Sequence, residues 1–278
     1  MTFHVFDPWV TTVAGKYGPI LANSFDEYVG QSLIEYGDYS EGEVDLLAAL
    51  IEPGQTVIEV GANVGALTLP MAKLLGPHGT LIAVEPQRHC FQMLCGTLAL
   101  NHITNTRAIW AACNDHSQGF IRVPRFEPTQ PANFGGVTLR QDTPSGELVW
   151  SPTIYDLLHT LDLLGPVHFL KLDVEGMEPA VLRGAEALFS LSRPICYVEC
   201  DRPDTEAPIR AQFAQWQYDL WWHLPPLFRT PNCFGNTENI WGKDVVSVNL
   251  LCVPSERAYQ PPAAWECLPV ANGSPHSK

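Results

Sequence analysis

Positive charge is what this 278-residue sequence has least of. Sixteen Lys and Arg stand against 30 Asp and Glu, a formal net charge of −14 at pH 7. Phosphate backbones and anionic headgroups attract basic faces, so neither nucleic acid nor a membrane surface is expected as a partner. Long apolar runs are missing too, and none reaches the roughly 20 residues that span a bilayer. The first residues, MTFHVFDPWV, lack a basic stretch ahead of an apolar one, so no signal peptide is expected. The eight cysteines contain no C-x-x-C pair, and several sit in apolar runs. Buried free thiols in a reducing compartment fit better than disulfide staples, and a cytoplasmic location is the expectation.

What is present is a chain with an ordinary apolar fraction of 46%. Its length suits one large α/β domain with insertions, or at most two domains. The organising stretch is Val57-Ile58-Glu59-Val60-Gly61-Ala62-Asn63-Val64-Gly65. The β-branched run at 57–60 follows Pro53-Gly54 and predicts a buried strand. Gly61 and Gly65 bracket a tight turn, and residues 66–75 continue as an apolar helix. Strand, glycine turn and helix form the nucleotide crevice of an open α/β sheet.

The turn departs from the dinucleotide fingerprint, which needs a second glycine for backbone contact with pyrophosphate. Asn63 stands in that place, and Glu59 would repel phosphate. An acid there suits a cation or an amino group, and S-adenosylmethionine carries both without a phosphate. A turn that merely lets strand and helix pack closely explains the glycines equally well. The next predicted strand, 80–84, ends in Glu85-Pro86. Glu85 follows Gly61 by 24 positions, near the spacing of about 20 at which an acid reaches a ribose hydroxyl. A solvated turn residue is the bland alternative.

Upstream, residues 1–42 show no clean period and are read as an N-terminal cover. Ser40 and Glu43 have capping-box spacing ahead of an apolar helix at 44–51. A functional reading puts Tyr39 and Glu43 beside the methionine end of the cofactor. Residues 87–101 predict a crossover helix and 107–110 a third strand. Asn114 or Asp115 beyond it would bond the adenine amine, unless the pair is only a turn. Residues 117–150 break the βα rhythm with four prolines and Gly135-Gly136. They are read as a lid, with strand-like pieces at 120–123 and 137–140.

Lys171-Leu172-Asp173-Val174-Glu175-Gly176-Met177-Glu178 follows the apolar run at 169–172. Three carboxylates thus gather at the carboxyl edge of a central strand. Asp173 is expected on the cofactor side and Glu175 on the acceptor side, as a general base. Favourable placement at a helix start explains Glu178, and also Glu175, without any function. A predicted strand at 195–198 ends in Glu199-Cys200-Asp201, acids that could join Asp173 around a divalent ion. No His or Asn completes such a set, so no metal is expected. The aromatic run from Trp216 reads as core, and His223 within it is a candidate base or a satisfied core residue. Residues 245–253 predict a late strand, and 255–278 a loose tail.

These motifs resemble the FkbM family of S-adenosylmethionine-dependent methyltransferases. The likeness rests on Glu59-Val60-Gly61-Ala62-Asn63-Val64-Gly65, on Val84-Glu85-Pro86, on the 171–178 block with Val181-Leu182-Arg183-Gly184-Ala185, and on Asn249-Leu250-Leu251-Cys252-Val253-Pro254. Many relatives carry Asp where Glu59 stands. The resemblance implies a Rossmann-like class I methyltransferase domain over 43–254, with helices on both faces of a mostly parallel seven-stranded sheet whose last strand is antiparallel. It implies S-adenosyl-L-methionine as cofactor and a hydroxylated small-molecule or glycan acceptor. N-methylation of a peptide side-chain amide is the alternative acceptor chemistry. Outside this chemistry stand a nicotinamide oxidoreductase, disfavoured by Asn63 and Glu59, and a non-catalytic binding module, disfavoured by the acids around Asp173.

Overall fold

The computed structural model describes residues 9–136, 145–163, 165–270 and 273–277. A hairpin of β1 (Val10–Gly15) and β2 (Gly18–Asn23) leads into α1 (Val29–Tyr36) and α2 (Glu41–Leu50). The glycine crevice follows as β3 (Thr56–Val60), α3 (Thr68–Leu75) and β4 (Thr80–Val84). Next come α4 (Arg88–Leu100), β5 (Thr106–Ile109), β6 (Gly119–Val123), β7 (Glu147–Ser151) and α5 (Ile154–Thr160). The second half holds β8 (Phe169–Leu172), α6 (Glu178–Gly184), α7 (Glu186–Leu191), β9 (Ile195–Glu199) and α8 (Pro203–Gln215). It closes with β10 (Tyr218–His223), β11 (Asn249–Pro254) and β12 (Leu268–Pro269). None of the described helices is long and apolar enough to cross a membrane.

The large sheet runs β12-β10-β11-β9-β8-β3-β4-β5. β5, β4, β3, β8 and β9 are parallel, and β11 lies antiparallel between β9 and β10. This is the class I methyltransferase arrangement, with β12 added at one edge. The central strands are buried on both sides because helices cover both faces. Side chains alternate along each strand, and the alternation sorts the core into two layers. Ile58, Val60, Leu170 and Leu172 pack with Val181, Leu182, Ile209 and Phe213 of α6 and α8. Val57, Phe169 and Tyr197 pack instead with Val44, Leu47 and Met71 of α2 and α3. Glu59 and Lys171 fall on this second face by the same alternation. The register sets Glu59 opposite Lys171 and Lys171 opposite Tyr197, so three polar side chains cross the sheet in one row.

Three segments differ from the sequence expectation. β10 was hidden in the aromatic run because Trp221 and Trp222 are both buried, which erases strand alternation. The segment after Pro254 is docked rather than loose: β12 pairs with β10, Trp222 Nε1 donates to the Gly273 carbonyl at 2.9 Å, and Val270 is buried. The Ser40–Glu43 capping box is not formed. Ser40 has left-handed backbone, and its hydroxyl donates to the Glu43 carboxylate at 2.7 Å instead of accepting from the helix. Within 117–150, β6 and β7 form an antiparallel hairpin. The strand-like piece expected at 137–140 lies outside the described residues.

Gly61 is where β3 meets the site. Its φ is +94°, and a Cβ there would lie 1.7 Å from the Asp173 carbonyl oxygen. Only a residue without a side chain lets the two strand ends approach this closely. Gly61→Ala is therefore expected to cost more than about 2 kcal/mol of stability. Chemical denaturation checks this, and an unchanged midpoint would count against the close approach.

Candidate active site

A cleft of about 370 Å³ opens over the carboxyl ends of β3, β4, β8 and β9. This is the edge at which open α/β sheets bind ligands. Gly61, Asn63, Glu59 and Glu85 form one side, and Asp173, Glu175, Glu199 and Asp201 the other. Tyr39 from the N-terminal segment lines it as well, and 245–248 close it with Leu227. Asn133, Gly135 and Gly136 reach its rim, tied down where Gln87 Nε2 donates to the Phe134 carbonyl at 2.6 Å.

Glu85 is buried and accepts from the backbone N–H of Asn63 at 2.8 Å and of Gln87 at 2.7 Å. The carboxylate thereby fixes the left-handed Asn63 that shapes the turn. Burial outweighs these bonds and pushes Glu85 up to about 7. Glu59 is 1% exposed, and its Oε2 accepts from Thr68 Oγ1 at 2.6 Å. Its Oε1 has no hydrogen-bond partner among the described residues. Burial likewise pushes Glu59 up to about 7, against the pull of Lys171. Burial works to lower the Lys171 ammonium, but Asp173, Glu59 and Glu43 outweigh it and raise it. Lys171 Nζ bonds Asp173 Oδ2 at 3.0 Å. Lys171 is thus a permanent cation beneath the cleft.

Beyond Asp173 the chain turns sharply, with Glu175 at φ +55° and Gly176 at φ +96°. Glu178 holds this turn, accepting from Val174 N at 3.0 Å and from Gly176 N at 3.1 Å. Its carboxylate is therefore committed to backbone, the favourable placement at a helix start. Glu175 is different. Its Oε2 accepts from Arg202 Nη2 at 2.6 Å, and burial together with Asp173 pushes it up to about 7. The carboxylate oxygens of Asp173, Glu175 and Glu199 come within 4.8 Å of one another.

Five residues expected at the site stand elsewhere. His223 does not line the cleft; its Nδ1 lies 2.7 Å from the Tyr197 hydroxyl, and burial lowers it to about 4. A neutral histidine enclosed on β10 beside Tyr197 is a core partner. Asn114 and Asp115 also miss the cleft. Asn114 is buried with its N–H on the Pro152 carbonyl, and Asp115 pairs with His116 and with Arg183 at 3.2 Å. A narrow side slot beside Glu85 is walled instead by Ala111, Ala112 and Cys113. Glu43 is buried behind the cleft as a counter-charge to Lys171. Gly65, at φ +92°, lets Leu94 of α4 come close and does not face the ligand space.

Sequence reasoning passed over Lys171 and Arg202 as site residues. Lys171 carried a signal, being a charge in the otherwise apolar Phe169–Leu172. Arg202 carried none, because only folding brings it to Glu175.

The strand order and the cleft at the strand ends are those of the class I methyltransferase fold. The model of the methyltransferase FkbM domain matches residues 59–220, more than half of the chain. The chain belongs to the FkbM methyltransferase family. A search of the curated proteins finds no match. Among solved structures, precorrin-6y C5,15-methyltransferase from Geobacter metallireducens is similar at 12% identity and a TM-score of 0.48, over 75% of this chain and 86% of that one. Methyltransferase FkbM from Methylobacillus flagellatus is similar at 16% identity and a TM-score of 0.45, over 75% of this chain and 50% of that one. M. jannaschii TYW2, solved in complex with AdoMet, is similar at 13% identity and a TM-score of 0.43, over 90% and 88%.

The crowded carboxyls predict how stability varies with pH. Glu59, Glu85 and Glu175 each move from 4.5 to about 7. An acid whose pKa is raised by folding stabilises the fold below its unfolded value, and that contribution is lost as pH rises through the folded value. The window is therefore about pH 4.5 to 7. His223, lowered from 6.5 to about 4, acts in the opposite sense, but that gain is complete once pH passes 6.5. The ligand-free protein should thus melt at a lower temperature at about pH 8 than at about pH 6. Calorimetry showing a rising Tm over that range would refute this.

Proposed function

We propose that the protein transfers a methyl group from S-adenosylmethionine to a hydroxyl of a sugar or another small hydroxylated metabolite. The observation that carries this is Glu175, whose carboxylate lines the acid-ended glycine crevice and is held there by Arg202 at 2.6 Å. The residues fit the cofactor. Glu59 Oε1, buried and unpartnered, offers an acceptor for an ammonium. Glu85 ends β4 where a ribose diol would meet it, and the side slot at 111–113 offers an apolar seat for a flat base. The absence of any glycine at Asn63, and the acids on both strand ends, disfavour a pyrophosphate.

Bound there, S-adenosylmethionine supplies an electrophilic methyl on a sulfonium. The chain mainly aligns the partners for in-line displacement. Asp173, anchored to Lys171, presents negative charge beside the crevice. Glu175 takes the hydroxyl proton of the acceptor, and Arg202 holds its carboxylate in place. A general base of this kind contributes about 10²–10⁴-fold. Glu175→Gln should therefore slow single-turnover methyl transfer by about that factor, while S-adenosylhomocysteine still binds. The parent rate should climb as pH rises through about 7 and then level, because Glu175 must be ionised to accept the proton. A parent-like rate in Glu175→Gln would remove it as the base.

Glu85→Ala tests the cofactor side. Losing a charged acceptor should weaken S-adenosylhomocysteine by about 1.5–3 kcal/mol in calorimetry. Undiminished affinity in a folded variant would displace the ribose from Glu85.

A further inference from the structure

We propose that the hydroxyl of Tyr39 faces the charged sulfur group of the cofactor and makes the cleft prefer the sulfonium over its neutral, demethylated product. This rests on the methyltransferase reading above and gives a role to a residue that the transfer step there does not use. Tyr39 lines the cleft from the short connection between α1 and α2. Both of its neighbours in sequence are pinned. The Asp38 carboxylate accepts the Cys233 N–H at 2.7 Å, and its carbonyl accepts the Ser32 hydroxyl at 2.9 Å. Ser40 donates to the Glu43 carboxylate at 2.7 Å, and its backbone is left-handed at φ +45°. A residue other than glycine or asparagine keeps that conformation only where its surroundings enforce it. The Tyr39 ring packs against two core layers at once. The side chain is therefore rigidly presented, but its hydroxyl is uncommitted. Among the described residues it has no hydrogen-bond partner, and it is not sealed from solvent as Glu59 Oε1 is.

The surroundings of this hydroxyl suit a cation. Burial, and then the charges of Glu43, Asp173 and Glu199, raise the phenol well above its ordinary range. It therefore stays protonated, with one hydrogen to donate and lone pairs to offer. The carboxylates around it can accept the hydrogen, which leaves the lone pairs for a positively charged ligand group. Glu59 and Glu85, assigned above to the ammonium and the ribose, act on Tyr39 less than Asp173 does. The sulfur of S-adenosylmethionine lies between its amino-acid and ribose parts. Tyr39 thus stands on the Asp173 side of the cleft, away from both ends of the cofactor and beside its middle. An oxygen next to a methylsulfonium accepts from the polarised C–H groups, a weak bond that the charge strengthens. Methyl transfer leaves the S–C electron pair on sulfur, and the attraction is lost with the charge.

Calorimetric titration of the full chain tests this with three probes. They are S-adenosylmethionine, S-adenosylhomocysteine and sinefungin, which carries a protonated amine in place of the methylsulfonium. The parent should bind sinefungin about tenfold more tightly than S-adenosylhomocysteine, and S-adenosylmethionine more tightly by a smaller factor. Tyr39→Phe removes only an oxygen without a partner. It should cut the sinefungin preference to below about threefold and leave S-adenosylhomocysteine within about twofold of its parent affinity. Should Tyr39→Phe fail to fold, Tyr39→Met carries the same comparison. No sinefungin preference in the parent, or one that persists in the folded variant, overturns the proposal. So does an equal loss for all three probes, which would make Tyr39 a packing residue only. Failure of the parent to bind any of the three would instead sink the methyltransferase reading itself.

Discussion

A buried lysine sets the terms for the rest of this molecule. Lys171 lies in the middle of the sheet at 2% exposure, facing Glu59, Glu43 and Asp173. Such a charge is tolerable only among opposite charges, and breaking a buried pair by removing one partner typically costs about 3–5 kcal/mol. The dependence is mutual. Glu59 and Glu43 come from β3 and α2, and the Lys171 ammonium is the cation that offsets the burial of both. The glycine crevice, the helix that precedes it and the strand that bears Asp173 are therefore locked together by one ammonium.

That lock leaves acidic groups with spare capacity where ligands enter. The parallel strands all end at one edge, so their terminal acids converge without any contact between them in sequence. Glu85 accepts one backbone N–H on each oxygen and keeps a lone pair on each for a ligand, whereas Glu178 is committed to the turn before α6. Among the described residues, Glu59 Oε1 and Glu199 Oε2 are each sealed from solvent without a hydrogen-bond partner. On the proposed reading, the Glu59 oxygen takes the cofactor's ammonium.

Much of this was legible in the chain. The apolar runs at 57–60, 80–84 and 169–172 fold as strands because buried parallel strands need no alternation, and their terminal acids fall where the strand ends dictate. Asp173 and Glu175 reach the cleft for that reason. Asn114 and Asp115 do not, because the loop after β5 folds back on Pro152 and Arg183. His223 looked catalytic from its residue type alone. Its strand lies beyond β11 and β9, and burial next to Tyr197 leaves it neutral. The docked tail was unreadable because its hold on Trp222 is a long-range contact between an aromatic strand and a tail that looks polar in isolation.

The central claim is that this crevice holds a sulfonium nucleoside and not a dinucleotide. Calorimetric titration of the intact protein with S-adenosylhomocysteine and, separately, with NAD measures it directly. One equivalent of S-adenosylhomocysteine binding with no heat from NAD is the predicted result. NAD binding at the same site, with S-adenosylhomocysteine inert, would contradict the account.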